Sequence, residues 1–203
     1  MGADMTDRFA DRFADLMLSL RQRYDAEGRT YHNWSHIQAL LTQFERLTNA
    51  FHDPAAVEIA LYYHDVIYAP GSTTNESDSA DAMAQELTGR ADANEIASAT
   101  LIVNATAAHA VPAGTAPQLA QDCAMFLDMD LAILGADAEA FDSYDRNIRQ
   151  EFAMVPDAMF YPARLKVMQG FLDRERIYLT ERFHVSHDTK ARSNLRRLIE
   201  RLS

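Results

Sequence analysis

The chain has 203 residues, 48% of them hydrophobic, which fits one domain with enough apolar material for a core. Seven glycines and six prolines disfavour a turn-rich β sandwich or barrel, and abundant Ala, Leu, Arg, Asp and Glu favour helices. A formal net charge of −11 argues against a nucleic-acid polymer as partner, because such binders present a basic face.

In chain order, the apolar spacing of Phe9, Phe13, Leu16, Met17 and Leu20 predicts a first helix. Asn33 or Ser35 would cap a second, running through Ile37, Leu40, Leu41, Phe44 and Leu47. Pro54 suits the first position of a third, Ala55 to Tyr68. That helix is apolar nearly all round, so it is expected to be central and buried. Ala69-Pro70-Gly71-Ser72 is a turn. Further helices are expected from Thr74 to Leu87, Asn94 to about His109, and Pro117 to Asp128 with a short turn to Leu134. Others follow from Ala138 to Met154 and from Ala158 to Leu172. Arg174 to Arg182 reads as helical, and a last helix begins after Asp188.

No segment alternates as a strand, and there is no repeat or dividing linker. The expected fold is therefore all-α, a single-domain helical bundle of about eight to ten helices. The domain spans residues 1–203, with a core motif region at 30–135 and C-terminal helices at 138–203 packed on it.

Lys190 to Arg201 is the most basic stretch, but Leu195, Leu198, Ile199 and Leu202 recur at helical spacing. It reads as a surface helix with a basic outer face rather than a DNA contact. Cys123, the one cysteine, lies in an apolar helical run and reads as a buried structural thiol. No apolar run reaches the ~20 residues needed to cross a bilayer. Met1 to Arg12 mixes Asp and Arg without an apolar signal core, so a cytoplasmic protein with no membrane partner is expected.

The chemistry lies in where acids and imidazoles fall. His64 and Asp65 sit together beside Ala60, Leu61, Tyr62, Tyr63, Val66 and Ile67. Such neighbours bury them, and a buried charge without a partner costs several kcal/mol, roughly, so both need one. A divalent cation would serve, since imidazole and carboxylate are both good ligands. The alternative is a His-Asp pair that satisfies itself and caps a neighbouring helix. Tyr31-His32-Asn33-Trp34-Ser35-His36 sets two imidazoles at i and i+4, on one face if helical. Asp128, after Phe126 and Leu127, points partly inward or caps its helix.

Together these residues resemble the HD superfamily of metal-dependent phosphohydrolases, whose pattern is a His, a His-Asp dipeptide and a distant Asp on separate helices. Those positions are His36, His64-Asp65 and Asp128. The resemblance is closer still to a bacterial subgroup of predicted members. Its first motif is similar to Tyr31-His32-Asn33 with His36. Its second is similar to Tyr63-His64-Asp65-Val66-Ile67-Tyr68, followed by Asn75-Glu76 and Ser79-Ala80. Its third is similar to Phe126-Leu127-Asp128 with Asp130-Leu131 and Leu134-Gly135. The likeness continues through Arg149, Glu151 and Arg164 to Ala191-Arg192-Ser193-Asn194-Leu195.

The resemblance implies an HD-type helical domain and metal ligation by His36, His64, Asp65 and Asp128. Asp128 is preferred because it aligns with the first acid of the family's Asp-x-Asp-x-Leu pattern. Asp130 then reads as a cap or as an acceptor for a ligand imidazole. One divalent ion is implied, with Mn, Mg or Fe favoured by the carboxylates and Zn, Co or Ni also compatible; a second ion is left open. The implied reaction is hydrolysis of a phosphate ester or anhydride in a small metabolite or nucleotide by metal-activated water.

Asp65 would ligate with one oxygen and orient the water with the other. Glu76 is the candidate acid/base, or a first-turn acid complementing a helix dipole. Asn75 would bind substrate or cap that helix. His32 and His109 would contact phosphate or a second metal, or be ordinary surface residues. Arg149 and Arg164, with Lys166, would meet phosphate as charge-assisted donors, or pair with Glu151, Asp145 or Asp173. The partner is a small phosphorylated substrate, and a homodimer is compatible with the sequence. Competing readings are a metal- or ligand-binding module without catalysis, and a phosphodiesterase of signalling nucleotides.

Overall fold

Ten α-helices and no strand occupy residues 8–203, the part of the chain described by the computed structural model. The reading of the first twelve residues falls mostly on positions 1–7, outside the described residues. None of the described helices is long and apolar enough to cross a membrane. The contacts divide into two units, the first ending at Leu127 and the second running Asp128–Ser203.

The first unit holds α1 (Arg8–Arg12), α2 (Ala14–Tyr24), α3 (Trp34–Leu47), α4 (Pro54–Tyr63), α5 (Asn75–Leu87), α6 (Ala93–Ala105) and most of α7 (Pro117–Asp130). Sequence periodicity reads α1 and α2 as one helix. The chain instead leaves helical geometry at Phe13, with φ −131° and ψ 42°, and the ring is buried 4.8 Å from that of Phe9. Phe9 also stacks on Tyr62 at 4.4 Å.

Helix α4 is central, as its apolar character predicts. It packs on α6 and also against α1, α3 and α5. Its start is set by Pro54 and by Asp53, whose carboxylate accepts from the Ala56 N–H. Asp122, fully buried on α7, accepts from the N–H groups of His52 and Asp53 at 2.9 and 2.8 Å and so fixes the approach to α4.

The end of α4 differs from the sequence reading, which carries the helix to Tyr68. It stops at Tyr63, and His64 is its cap. The backbone beyond finds better partners than its own helix. Arg29 takes the carbonyls of Asp65 and Val66. Ser79 both donates to and accepts from the backbone of Ile67, and Asn75 does the same for Ala69. The turn that follows uses Gly71 at φ 83°, a conformation glycine adopts without strain.

The second unit holds a 3-10 turn (Leu131–Gly135), α8 (Ala138–Glu151), α9 (Asp157–Leu172) and α10 (Glu181–Leu202). Helix α10 packs on α9 and the 3-10 turn over a core that includes Phe141, Phe160, Met168, Tyr178 and Leu195. Residues 174–182 are largely irregular rather than helical, and α10 begins earlier than expected. Side chains capture the backbone there. Asp188 accepts from Ile177 N–H, and Arg192 donates to the carbonyls of Leu172, Arg174 and Glu175. Thr180 then caps α10.

Several cations of the basic stretch of α10 pair with acids of the same unit. Lys190 meets Asp137 at 2.8 Å, and Arg197 and Arg201 meet Asp142 at 3.1 and 3.3 Å. Cys123 is buried, which pushes its thiol up to about 12.

Candidate metal centre

Three of the expected ligands come together in the first unit. His36 lies in the first turn of α3, whose start is set by Asn33 accepting from Ser35 N–H. His64 caps α4, and Asp65 follows in the turn. The Nε2 atoms of His36 and His64 face each other at 3.2 Å. Asp65 Oδ2 is 3.1 Å from His64 Nε2 and 4.0 Å from His36 Nε2. His64 is 1% exposed, whereas the Asp65 side chain keeps 16%, so the group opens on the carboxylate side.

The tautomer of His64 sharpens the geometry. Its Nδ1 lies 3.0 Å from the Leu61 carbonyl, which can only accept, so Nδ1 carries the proton. In the neutral ring Nε2 is then a bare lone pair. It points at a carboxylate oxygen and at another imidazole nitrogen. Electron pairs so placed repel unless something positive lies among them. Three arrangements supply it: the Nε2–H tautomer of His36 donating into this lone pair, a second proton on His64, giving a self-contained ion pair, or a cation. One ligand atom from each of the three residues lies within 4.8 Å of the others, a spacing that admits a metal ion. The Leu61 carbonyl is the kind of partner that orients a ligand imidazole.

Aromatic groups line the first motif. His32 stacks on Tyr68 at 4.3 Å, with its ring 6.2 Å from that of His36. Phe126 on α7 sits edge-on to His64 at 5.6 Å.

Asp128 has other company. Its oxygens accept from Leu179 N–H at 2.6 Å, from Thr180 N–H at 2.7 Å and from the Thr180 hydroxyl. Burial pushes its carboxyl up from the ordinary range, and these three donors act against that. Within the second unit it ties the segment before α10, a capping role close to the structural alternative raised from sequence. Asp130 ends α7, one helical turn after Phe126, while Asp128 is on a different stripe of that helix.

The remaining expected site residues separate. Glu76 stands in the first turn of α5, half-buried. His109 follows α6 in a turn, half-buried and at φ 45°, unusual for a residue other than glycine. Asn75 commits both ends of its amide to the backbone of Ala69, at 3.0 and 3.1 Å. Arg149 closes the turn between α8 and α9: it donates to the carbonyls of Phe152 and Val155, pairs with Asp157 at 2.6 Å, and lies over Phe160. Its carboxylate partner is none of those anticipated. Arg164 is buried, bonded to Asp145 at 3.1 Å and set over Tyr144, with Nη2 lacking a hydrogen-bond partner.

Sequence reasoning missed Arg29 and Tyr24, which hold the backbone of Asp65. A single cation just before Tyr31-His32 was the available signal. Comparison of the chain with protein-family models, curated proteins and solved structures gives no match in any of the three.

Proposed function

We propose that His36, His64 and Asp65 bind a divalent metal ion and that the chain is a metal-dependent phosphohydrolase of small phosphorylated metabolites or nucleotides. The observation that carries this reading is the convergence of the two Nε2 atoms and Asp65 Oδ2, with the His64 proton committed to Leu61 on the far side of the ring. A bound divalent ion would acidify a coordinated water and polarise a phosphoryl oxygen. The HD-type resemblance supports phosphate as the electrophile, and Mn, Mg or Fe as the ion. It also implies a fourth, carboxylate ligand, sought at Asp128 and Asp130.

The chain's own residues take distinct parts. His36 and His64, both buried, would supply ring nitrogens as ligands, which add no charge in the neutral form. Asp65 is the most exposed of the three, and its second oxygen is the group to orient a water. Glu76 remains the proposed proton carrier, and His32 and His109 the proposed phosphate contacts. Asn75 and Arg149 are already engaged with backbone, and Arg164 is buried against Asp145. These engagements weaken their assignment to substrate and favour a second reading, a metal-binding module without turnover.

The test titrates metal-stripped protein with Mn2+ and Co2+, beside His64→Ala and Asp65→Ala. It is paired with a panel of phosphomonoesters and nucleotides. The parent is expected to bind, and each variant to lose about a hundredfold or more in affinity, at the upper end of or beyond the effect of removing an outer partner. Equal binding by parent and variants would sink the site. Metal binding without turnover across the panel would select the module. The same titration of Asp128→Asn and Asp130→Asn identifies the fourth ligand.

A further inference from the structure

The loop that carries Asp65 has left its helix, so something other than the helix must hold the carboxylate against the two imidazoles. Arg29 stands where that restraint is needed. Its Nη1 donates to the His32 carbonyl at 3.1 Å and to the Asp65 carbonyl at 2.7 Å, and its Nη2 donates to the Val66 carbonyl at 3.0 Å. One planar guanidinium thus bridges the segment leading into His36 and the backbone of the His64-Asp65 turn. Two rings hold it in place, Tyr24 at 5.2 Å and Tyr68 at 5.4 Å from its central carbon. Tyr24 acts on the other side of the same residue. Its hydroxyl accepts from Asp65 N–H at 3.3 Å while donating to the Tyr62 carbonyl at 3.1 Å. Asp65 is therefore gripped at its N–H and at its C=O.

We infer that Arg29, aided by Tyr24, is a positioning residue that sets the metal affinity and coordination geometry of the His36–His64–Asp65 group by locking the backbone of Asp65 against the His32–His36 segment. The inference rests on the metal-site reading above. The shape of the guanidinium carries it as well as the charge: one fork reaches carbonyls of two separate segments, which a lysine ammonium on a flexible stem cannot match.

The experiment titrates metal-stripped parent, Arg29→Lys, Arg29→Gln and Tyr24→Phe with Co2+ alone. It follows both the dissociation constant and the d–d absorption, which reports ligand geometry. His64→Ala and Asp65→Ala serve as controls, and far-UV circular dichroism checks each fold. Arg29→Lys and Arg29→Gln are expected to bind about 10- to 100-fold more weakly, the range for partners of metal ligands, with an altered absorption spectrum. Tyr24→Phe should shift in the same direction by less. Lysine failing to rescue distinguishes positioning from simple charge. If Arg29→Gln does not fold, Arg29→Lys and Tyr24→Phe decide between the two roles. Parent-like affinity and spectrum in the folded Arg29 variants, with binding lost in the controls, would overturn the positioning role and leave the metal site standing. No binding by the parent, or unchanged binding in the controls, would instead overturn the metal site itself.

Discussion

Asp65 and Asp128 are both mostly buried acids at the ends of apolar helices, yet their surroundings are opposite in kind. Around Asp128 stand donors: two backbone N–H groups and a hydroxyl. Around Asp65 Oδ2 stand two imidazole nitrogens, one of them a lone pair in the neutral ring. The first arrangement is complete within the protein. The second sets a carboxylate oxygen among imidazole nitrogens at a spacing that could hold a metal ion. A buried acid whose partners are backbone and hydroxyl donors is a tie, whereas one beside two imidazole nitrogens belongs to a group of metal-ligand type. Chain position and residue type do not separate the two cases.

The largest effect that would test the finished character of the Asp128 corner is Gly135→Ala. A Cβ there would lie 2.7 Å from the His187 Cβ and 2.9 Å from both the His187 carbonyl and the Tyr178 hydroxyl. Two of these atoms cannot swing aside, so a loss of about 3 kcal/mol is expected in urea unfolding, the upper part of the overpacking range. A loss below about 0.5 kcal/mol would mean that the corner yields, contrary to the tight packing seen.

Next comes the direct contrast between the acids, measured without metal. Asp128→Ala strips the acceptor from the segment before α10 and should cost about 1–3 kcal/mol. Asp65→Asn should cost less, about 1 kcal/mol or below, because the amide keeps one oxygen and the backbone ties to Arg29 and Tyr24 are unchanged. If Asp65→Asn destabilised as much as Asp128→Ala, the His-Asp group would be a self-contained pair.

The smallest effect is a pH dependence in the second unit. Burial acts upward on the Asp188 carboxyl, but Arg192 at 2.6 Å and the Ile177 N–H hold it below the ordinary carboxylate range. Its folded value is depressed, so the stability it contributes is present above the unfolded value of about 3.9 and is lost as pH falls through the folded one. The destabilisation by Asp188→Asn, read by denaturant unfolding, should be near constant from about pH 7 to 5 and shrink below about pH 4. A difference that persists undiminished at about pH 2 would remove Asp188 from the acid response.

Sequence by itself determined much of this protein. Apolar periodicity yields the helices, Pro54 and the choice of Asn33 or Ser35 mark two starts, and the apolar character of Ala55 to Tyr68 foretells a buried central helix. Apolar company pointed to a partner for His64 and Asp65, and the resemblance to the HD pattern added His36 to them. Tertiary structure alone decided where α4 ends, since Arg29, Ser79 and Asn75 compete with the helix for its backbone from distant positions and win. It alone separated Asn75 and Arg149, which serve turns, from the three residues that could hold a metal. The reason is physical: helix formation follows from spacing along the chain, whereas the use of a polar side chain depends on whether folding surrounds it with donors or with acceptors.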